Sequence, residues 1–151
     1  MEPKFRIGDS KVLESRETVD GKMIRRRRET PDGHRFTTYE RIEMPALTVL
    51  KRNGSKEIFD RDKLMHAVKR SVGKFFNSEL EVENVINRVI DLLYGLGTDE
   101  VRSQQIGEAV LDVLAEVNEV AYVRFASVFR EFKTLDDFEE ILKEQKRKRD
   151  K

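Results

Sequence analysis

Lys51 and Arg52 stand side by side ahead of an Asn53-Gly54 turn, and Lys63 follows near the start of a predicted helix. A helix N-terminus presents free N–H groups and the positive end of its dipole, so basic side chains beside it suit a polyphosphate. The same residues equally suit a basic hairpin solvated at the surface. A second cluster is the run Arg25-Arg26-Arg27-Arg28. On a strand, alternation sends Arg25 and Arg27 to one face and Arg26 and Arg28 to the other. One pair can then meet phosphates while the other is solvated or paired with glutamate. A solvated strand or general polyanion binding fits that run as well. The third candidate is Tyr122, in an otherwise apolar segment. Ordinary core packing accounts for most of its neighbours. A tyrosine, however, keeps a polar tip that wants a partner when buried, and it can stack on or hydrogen-bond a nucleotide.

Other chemistries are poorly supplied. The chain of 151 residues has no cysteine and two histidines, His34 and His66. A closed zinc site needs four ligands, usually Cys and His, so zinc is not expected. No glycine-rich phosphate loop, metal–carboxylate cluster or nucleophile–base pair is visible, and an enzyme is not expected. Charged residues make up 39% of the chain but the net charge is only +1, so the distribution of charge matters and its total does not. No apolar run reaches the length of a membrane span. The start, Met-Glu-Pro-Lys-Phe-Arg, has no signal-peptide core. A cytoplasmic location without membrane contact is the expectation.

The elements that must position these residues change character near Pro45. Before it, short alternating stretches appear at Lys11–Glu14, Met23–Arg25 and Arg35–Tyr39, with Asp20-Gly21 and Asp32-Gly33 as turns between them. This predicts a three-stranded meander over 1–44, a size that usually needs metal or disulfides to stand alone. After it, Leu47–Arg52 and Lys56–Phe59 form a hairpin around Asn53-Gly54. Helical periodicity follows on three faces. The first is Leu64, Ala67, Val68, Ser71, Val72 and Phe75. The second is Val82, Val85, Ile86, Val89, Leu92 and Leu93. The third is Ile106, Ala109, Val110, Val113, Leu114 and Val117, with Ser103 as its predicted N-cap. A fourth helix over 120–132 is apolar on more than one side. Thr134-Leu135-Asp136-Asp137 reads as a capping box, with Asp in place of Glu, opening a fifth helix. The fold class is α+β, with units at 1–44 and 45–142 and a frayed basic tail at 143–151.

Three segments resemble one family. Val49 through Leu64, Val-Leu-Lys-Arg-Asn-Gly-Ser-Lys-Glu-Ile-Phe-Asp-Arg-Asp-Lys-Leu, is similar to the opening of an ATP-cone, a regulatory nucleotide-binding domain of ribonucleotide reductases and NrdR proteins. Residues 120–132 resemble the final core helix of NrdR proteins. Ser15-Arg16, Ile24–Glu29 and His34–Arg41 resemble the segments around their DNA-binding zinc ribbon. The resemblance spans about residues 10–142. It implies that Lys51, Arg52 and Lys63 hold phosphates of ATP or dATP, and that Val49, Glu57 and Tyr122 help form the pocket. It implies DNA contacts from Arg16, Arg25, Arg26, Arg27, Arg28, Arg35, Thr37 and Arg41. It fails at the metal ligands. The family's two Cys-x-x-Cys-Gly knuckles would fall at Glu2–Arg6, with Glu2 and Phe5 in cysteine places, and at Thr30–Gly33, which is one residue short. The fold implied is a small zinc-ribbon-like β module without metal ligands, followed by a mainly helical ATP-cone.

The leading expectation is a homo-oligomeric repressor that binds double-stranded DNA at ribonucleotide reductase promoters under control of ATP or dATP. Nucleotide would change which ATP-cone surfaces pair, provided it binds the two assemblies differently. The alternative is a nucleotide-sensing module that regulates a partner protein without DNA, motivated by the lost ligands. A nucleotide-processing enzyme is the third. Promoter binding separates the first two, and nucleotide turnover separates the third.

Overall fold

A computed structural model describes residues 6–149, so the expected knuckle at Glu2–Arg6, apart from Arg6, lies outside the described residues. The chain divides into two compact units, Met1–Met44 and Pro45–Lys151.

The first unit is an antiparallel meander of β1 (Lys11–Glu17), β2 (Met23–Glu29) and β3 (Arg35–Arg41), in the order β1-β2-β3. Two turns of the same sequence type join the strands. In Thr18-Val19-Asp20-Gly21, the Thr18 hydroxyl donates to the Asp20 carboxylate, which also accepts from Lys22 N–H at 3.1 Å. In Thr30-Pro31-Asp32-Gly33, the Thr30 hydroxyl donates to Asp32 and accepts from His34 N–H at 3.0 Å. Gly21 and Gly33 both take positive φ, +70° and +91°, where a side chain would be strained. Both threonines are buried, and Met23 is the buried apolar side chain among the unit's described residues. Hydrogen-bonded turns thus supplement a thin core.

The second unit places five helices beside a small sheet. Its strands are β4 (Thr48–Leu50), β5 (Lys56–Ile58) and β6 (Glu100–Arg102), in the order β5-β4-β6, with β6 parallel to β4. β6 escapes the sequence pattern because three residues with one apolar side chain, Val101, show no alternation. Val101 pairs with Val49, and both are buried.

The helices are α1 (Arg61–Val72), α2 (Glu79–Tyr94), α3 (Ser103–Val117), α4 (Glu119–Phe129) and α5 (Leu135–Arg149). Their predicted faces supply the core, including Val68, Val72, Val85, Ile86, Val89, Leu93, Val110 and Leu114. Leu92 and Val117 are exceptions, being exposed at the rims of their stripes. Side-chain caps start the helices: Asp60 accepts from Asp62 N–H, Ser78 from Glu81 N–H, and Asn118 from Ala121 N–H. Asn118 also donates to the Phe75 carbonyl at 3.0 Å, tying the α3–α4 break to the end of α1. Ser103 is the first residue of α3 rather than its cap. Arg102 holds the cap position, and its N–H donates to the Gln105 side chain at 2.8 Å. Thr134 and Asp137 exchange the reciprocal bonds of a capping box. α5 continues through the stretch read as a frayed tail, because Lys148 pairs with Asp112 at 3.1 Å and Gln145 donates to the Ala115 carbonyl at 2.8 Å.

One close approach fixes α3 against α4. A Cβ added at Gly107 would come within 2.2 Å of the Phe129 ring, which stacks on Phe125 at 5.8 Å. Gly107→Ala gains about 1 kcal/mol of helix propensity but overfills the contact, which typically costs about 1–3 kcal/mol. A net loss of stability is expected in urea denaturation. A midpoint at or above the wild-type value would show that the ring moves aside freely.

Candidate functional site

Two of the three phosphate-binding candidates, Lys51 and Lys63, converge on one carboxylate. β4 and β5 pair with Val49 opposite Glu57. Their loop closes by Lys51 N–H to the Ser55 carbonyl and Gly54 N–H to the Lys51 carbonyl, at 2.8 and 2.9 Å. It is therefore a three-residue loop, Arg52 to Gly54, in which Gly54 alone takes positive φ, +88°. This differs from a two-residue Asn-Gly turn, and it separates Lys51 from Arg52. The Lys51 ammonium pairs with Glu57 at 3.1 Å, and Lys63, in the first turn of α1, pairs with the other Glu57 oxygen at 2.9 Å. Glu57 thus holds two ammonium groups together. The hydrogen bond from Lys63, then that from Lys51, holds the Glu57 carboxyl below its ordinary range, and Glu57 in turn raises Lys63. Asp60 occupies the Asp62 and Lys63 N–H groups. The anion-binding power here therefore resides in side chains more than in the helix end.

Arg52 is exposed at the loop and lines an open recess of about 360 Å³ with Gln104, Glu108, Phe129, Arg130 and Glu131. That volume falls within the range of small-molecule sites, roughly 300–1,000 Å³. Glu131 closes α4 with a positive φ of 53°. Arg130 bridges Glu108 and Glu144 at 3.3 and 3.0 Å. Sequence reasoning singled out Arg52 but missed its neighbours here, because they are far apart in the chain and individually ordinary.

Val49 is buried in the core. Tyr122 is also completely buried, with its hydroxyl lacking a hydrogen bond and the Lys148 ammonium 5.2 Å from its ring centroid. Burial raises its pKa, opposed by Lys148. Its surroundings are thus those of α5.

In the first unit, strand register sorts the arginines. Arg25 faces Tyr39 on β3 and Arg16 on β1, while Arg27 faces Thr37 and Glu14. A bulge between Val12 and Glu14 brings Lys11 opposite Glu29, which also faces Arg35. One face consequently gathers Lys11, Arg16, Arg25, Arg27, Arg35 and Arg41 against two carboxylates, Glu14 and Glu29. On it, Arg27 donates to the Thr37 hydroxyl at 3.0 Å, Arg35 pairs with Glu29 at 3.0 Å, and Arg41 lies 5.2 Å from the Tyr39 ring centroid. Arg35 holds the Glu29 carboxyl below its ordinary range. Arg16 pairs with Glu14 along its own strand. The opposite face carries Arg26, paired with Glu40 at 3.1 Å, and Arg28, which donates to Thr38 at 3.0 Å and Ser10 at 3.3 Å. Arg16 and Arg25 stand directly opposite, like charges that destabilise a sheet unless compensated, and Glu14 supplies compensation to Arg16.

Zinc does not fit the donors described. The second knuckle position holds Thr30 and Asp32, whose polar atoms close the turn, and Asp32 pairs with His34 at 3.0 Å. Among the described residues, no three His, Cys, Asp or Glu side chains converge on a metal position. Nor, among them, is any helix long and apolar enough to cross a membrane.

Residues 47–135 match the family model described as the ATP cone domain, and residues 4–40 match that of the transcriptional repressor NrdR-like, N-terminal domain. Together these define a two-part regulator, a β ribbon preceding an ATP cone. The chain is 44% identical over 154 residues to a transcriptional repressor NrdR of Streptococcus sanguinis (strain SK36), covering 99% of this chain and 98% of the relative. It is 43% identical over 143 residues to one of Streptococcus pneumoniae (strain Hungary19A-6), covering 94% and 91%. The chain belongs to the NrdR family.

Proposed function

We propose that this chain is a nucleotide-responsive, non-catalytic transcriptional repressor of ribonucleotide reductase genes, acting in the cytoplasm as a homo-oligomer. The relatives' printed name supports repression, and the basic face of β1–β3 carries the reading for DNA. Arg16, Arg25, Arg27, Arg35, Thr37 and Arg41 share that face. They meet the duplex, whereas Arg26 and Arg28 hold β3 and Ser10 from the other side. ATP or dATP binds through Lys51, Arg52 and Lys63, with Val49 and Glu57 shaping the hairpin wall. Zinc takes no part.

The test is fluorescence anisotropy on the chain's own reductase promoter and on random duplex, without nucleotide, with ATP and with dATP. Log affinity should fall linearly with log salt. Arg25→Ala should flatten the slope by about one if it meets phosphate, or lose about 1–3 kcal/mol of promoter preference if it reads a base. Arg26→Ala should do neither. A chain that binds nucleotide yet prefers no promoter in any state is a regulator of a partner protein instead.

A further inference from the structure

α5 is amphipathic on two sides. Ile141 and Gln145 turn inward and are buried. Leu135, Phe138 and Leu142 recur at i, i+3 and i+7 and face solvent, with Leu135 81% and Leu142 49% exposed. Phe138 and Leu142 line a groove of about 540 Å³ with Val120 and Val123 of α4, and Val120 is 61% exposed. Contiguous exposed apolar surface of this kind marks an interaction site.

The charges along α5 say what covers it. The first half carries Asp136, Asp137, Glu139 and Glu140, and the second carries Lys143, Lys146, Arg147 and Lys148 with one acid, Glu144. That order suits the helix dipole. It also makes the helix complementary to a reversed copy of itself. We propose that this face docks a second copy of the chain, with the two α5 helices crossing antiparallel about a two-fold axis. The proposal rests on the homo-oligomer reading above and names its surface. A crossing centred near Ile141 sets Glu139 against Lys143 of the other copy and Asp136 against Lys146, and the two-fold axis repeats each contact. Leu142 and Phe138 pack beside those charges against Leu142 of the other copy, with Val120 widening the apolar area.

Sedimentation velocity of the full chain, without nucleotide, with ATP and with dATP, tests this. The wild type should assemble in at least one state. Leu142→Glu should raise the dissociation constant at least tenfold there. Asp136→Lys with Glu139→Lys makes both acidic contact positions basic, and Lys143→Glu with Lys146→Glu makes both basic contact positions acidic. Asp137 is left in place because it caps the helix. Each charge-reversed chain should fail to self-associate, and an equimolar mixture should assemble. That recovery, with unchanged circular dichroism, distinguishes lost docking from lost folding. Assembly undisturbed in all three variants overturns this surface while leaving the oligomer. Dissociation without recovery on mixing overturns the antiparallel crossing. A wild type monomeric in every state overturns the oligomer reading itself.

Discussion

Glu83→Ala is expected to cost roughly 3–5 kcal/mol, the usual penalty for stripping one partner from a buried ion pair. Glu83 is buried on α2 and pairs with Arg61 at the start of α1, and Arg61 also donates to Asn87 at 2.7 Å. Removing the carboxylate takes away the buried counter-charge of a guanidinium that is itself only 17% exposed. Against a typical total stability of about 5–15 kcal/mol, urea denaturation should show a large shift in midpoint. The double variant Arg61→Met, Glu83→Leu should recover most of the loss, because a packed apolar pair needs no charge compensation. A change below about 1 kcal/mol in Glu83→Ala, at the level of a solvated surface pair, would overturn the assignment. The pair also matters for the site. It pins to α2 the helix turn that carries Asp60 and Lys63, so nucleotide affinity should weaken in Glu83→Ala even where the fold survives.

Lys51→Ala and Lys63→Ala should each weaken ATP and dATP binding about tenfold or more, since each removes a charge-assisted bond worth roughly 1.5–3 kcal/mol. Arg52→Ala should do likewise from the other side of the loop. Isothermal calorimetry decides this, and unchanged affinity in all three variants would remove the phosphates from the hairpin. The pH response follows from the directions of the shifts. Glu57 is depressed, so its bridge to the two lysines is complete above the ordinary carboxylate range and is lost only as pH falls through the lowered value. Lys63 is raised, so its contribution persists until pH climbs past the ordinary lysine range. Affinity should therefore hold steady from about pH 7 to pH 9, both groups keeping their charge there.

Periodicity made the five helices and the three-stranded ribbon legible, because each has a stripe or alternation long enough to register. The family motif marked Lys51, Glu57 and Lys63, which meet in space. What escaped depends on tertiary neighbours. Glu83 looks like a solvated acid until α1 brings Arg61 beside it. Gly107 looks like a weak point in a helix until Phe129 fills the space where a side chain would stand. The division of Arg25–Arg28 between faces followed from alternation, yet the charge of each face required the register of β1, including its bulge. The second apolar stripe of α5 was hidden because helical periodicity identifies apolar positions without saying which of two stripes the core accepts.

The Thr-x-Asp-Gly turns change what the ribbon depends on. A knuckle closed by thiolates folds only when metal arrives and opens when an oxidant or chelator takes the sulfurs. Here threonine hydroxyls and aspartate carboxylates close both turns, and the chain contains no thiol. The turns that join the strands of the basic face therefore rest on hydrogen bonds that neither a chelator nor peroxide acting on cysteine would remove. Thermal melts of this unit should superimpose with and without chelator. On the reading proposed above, such a regulator would answer to its nucleotides without a thiol switch in the ribbon.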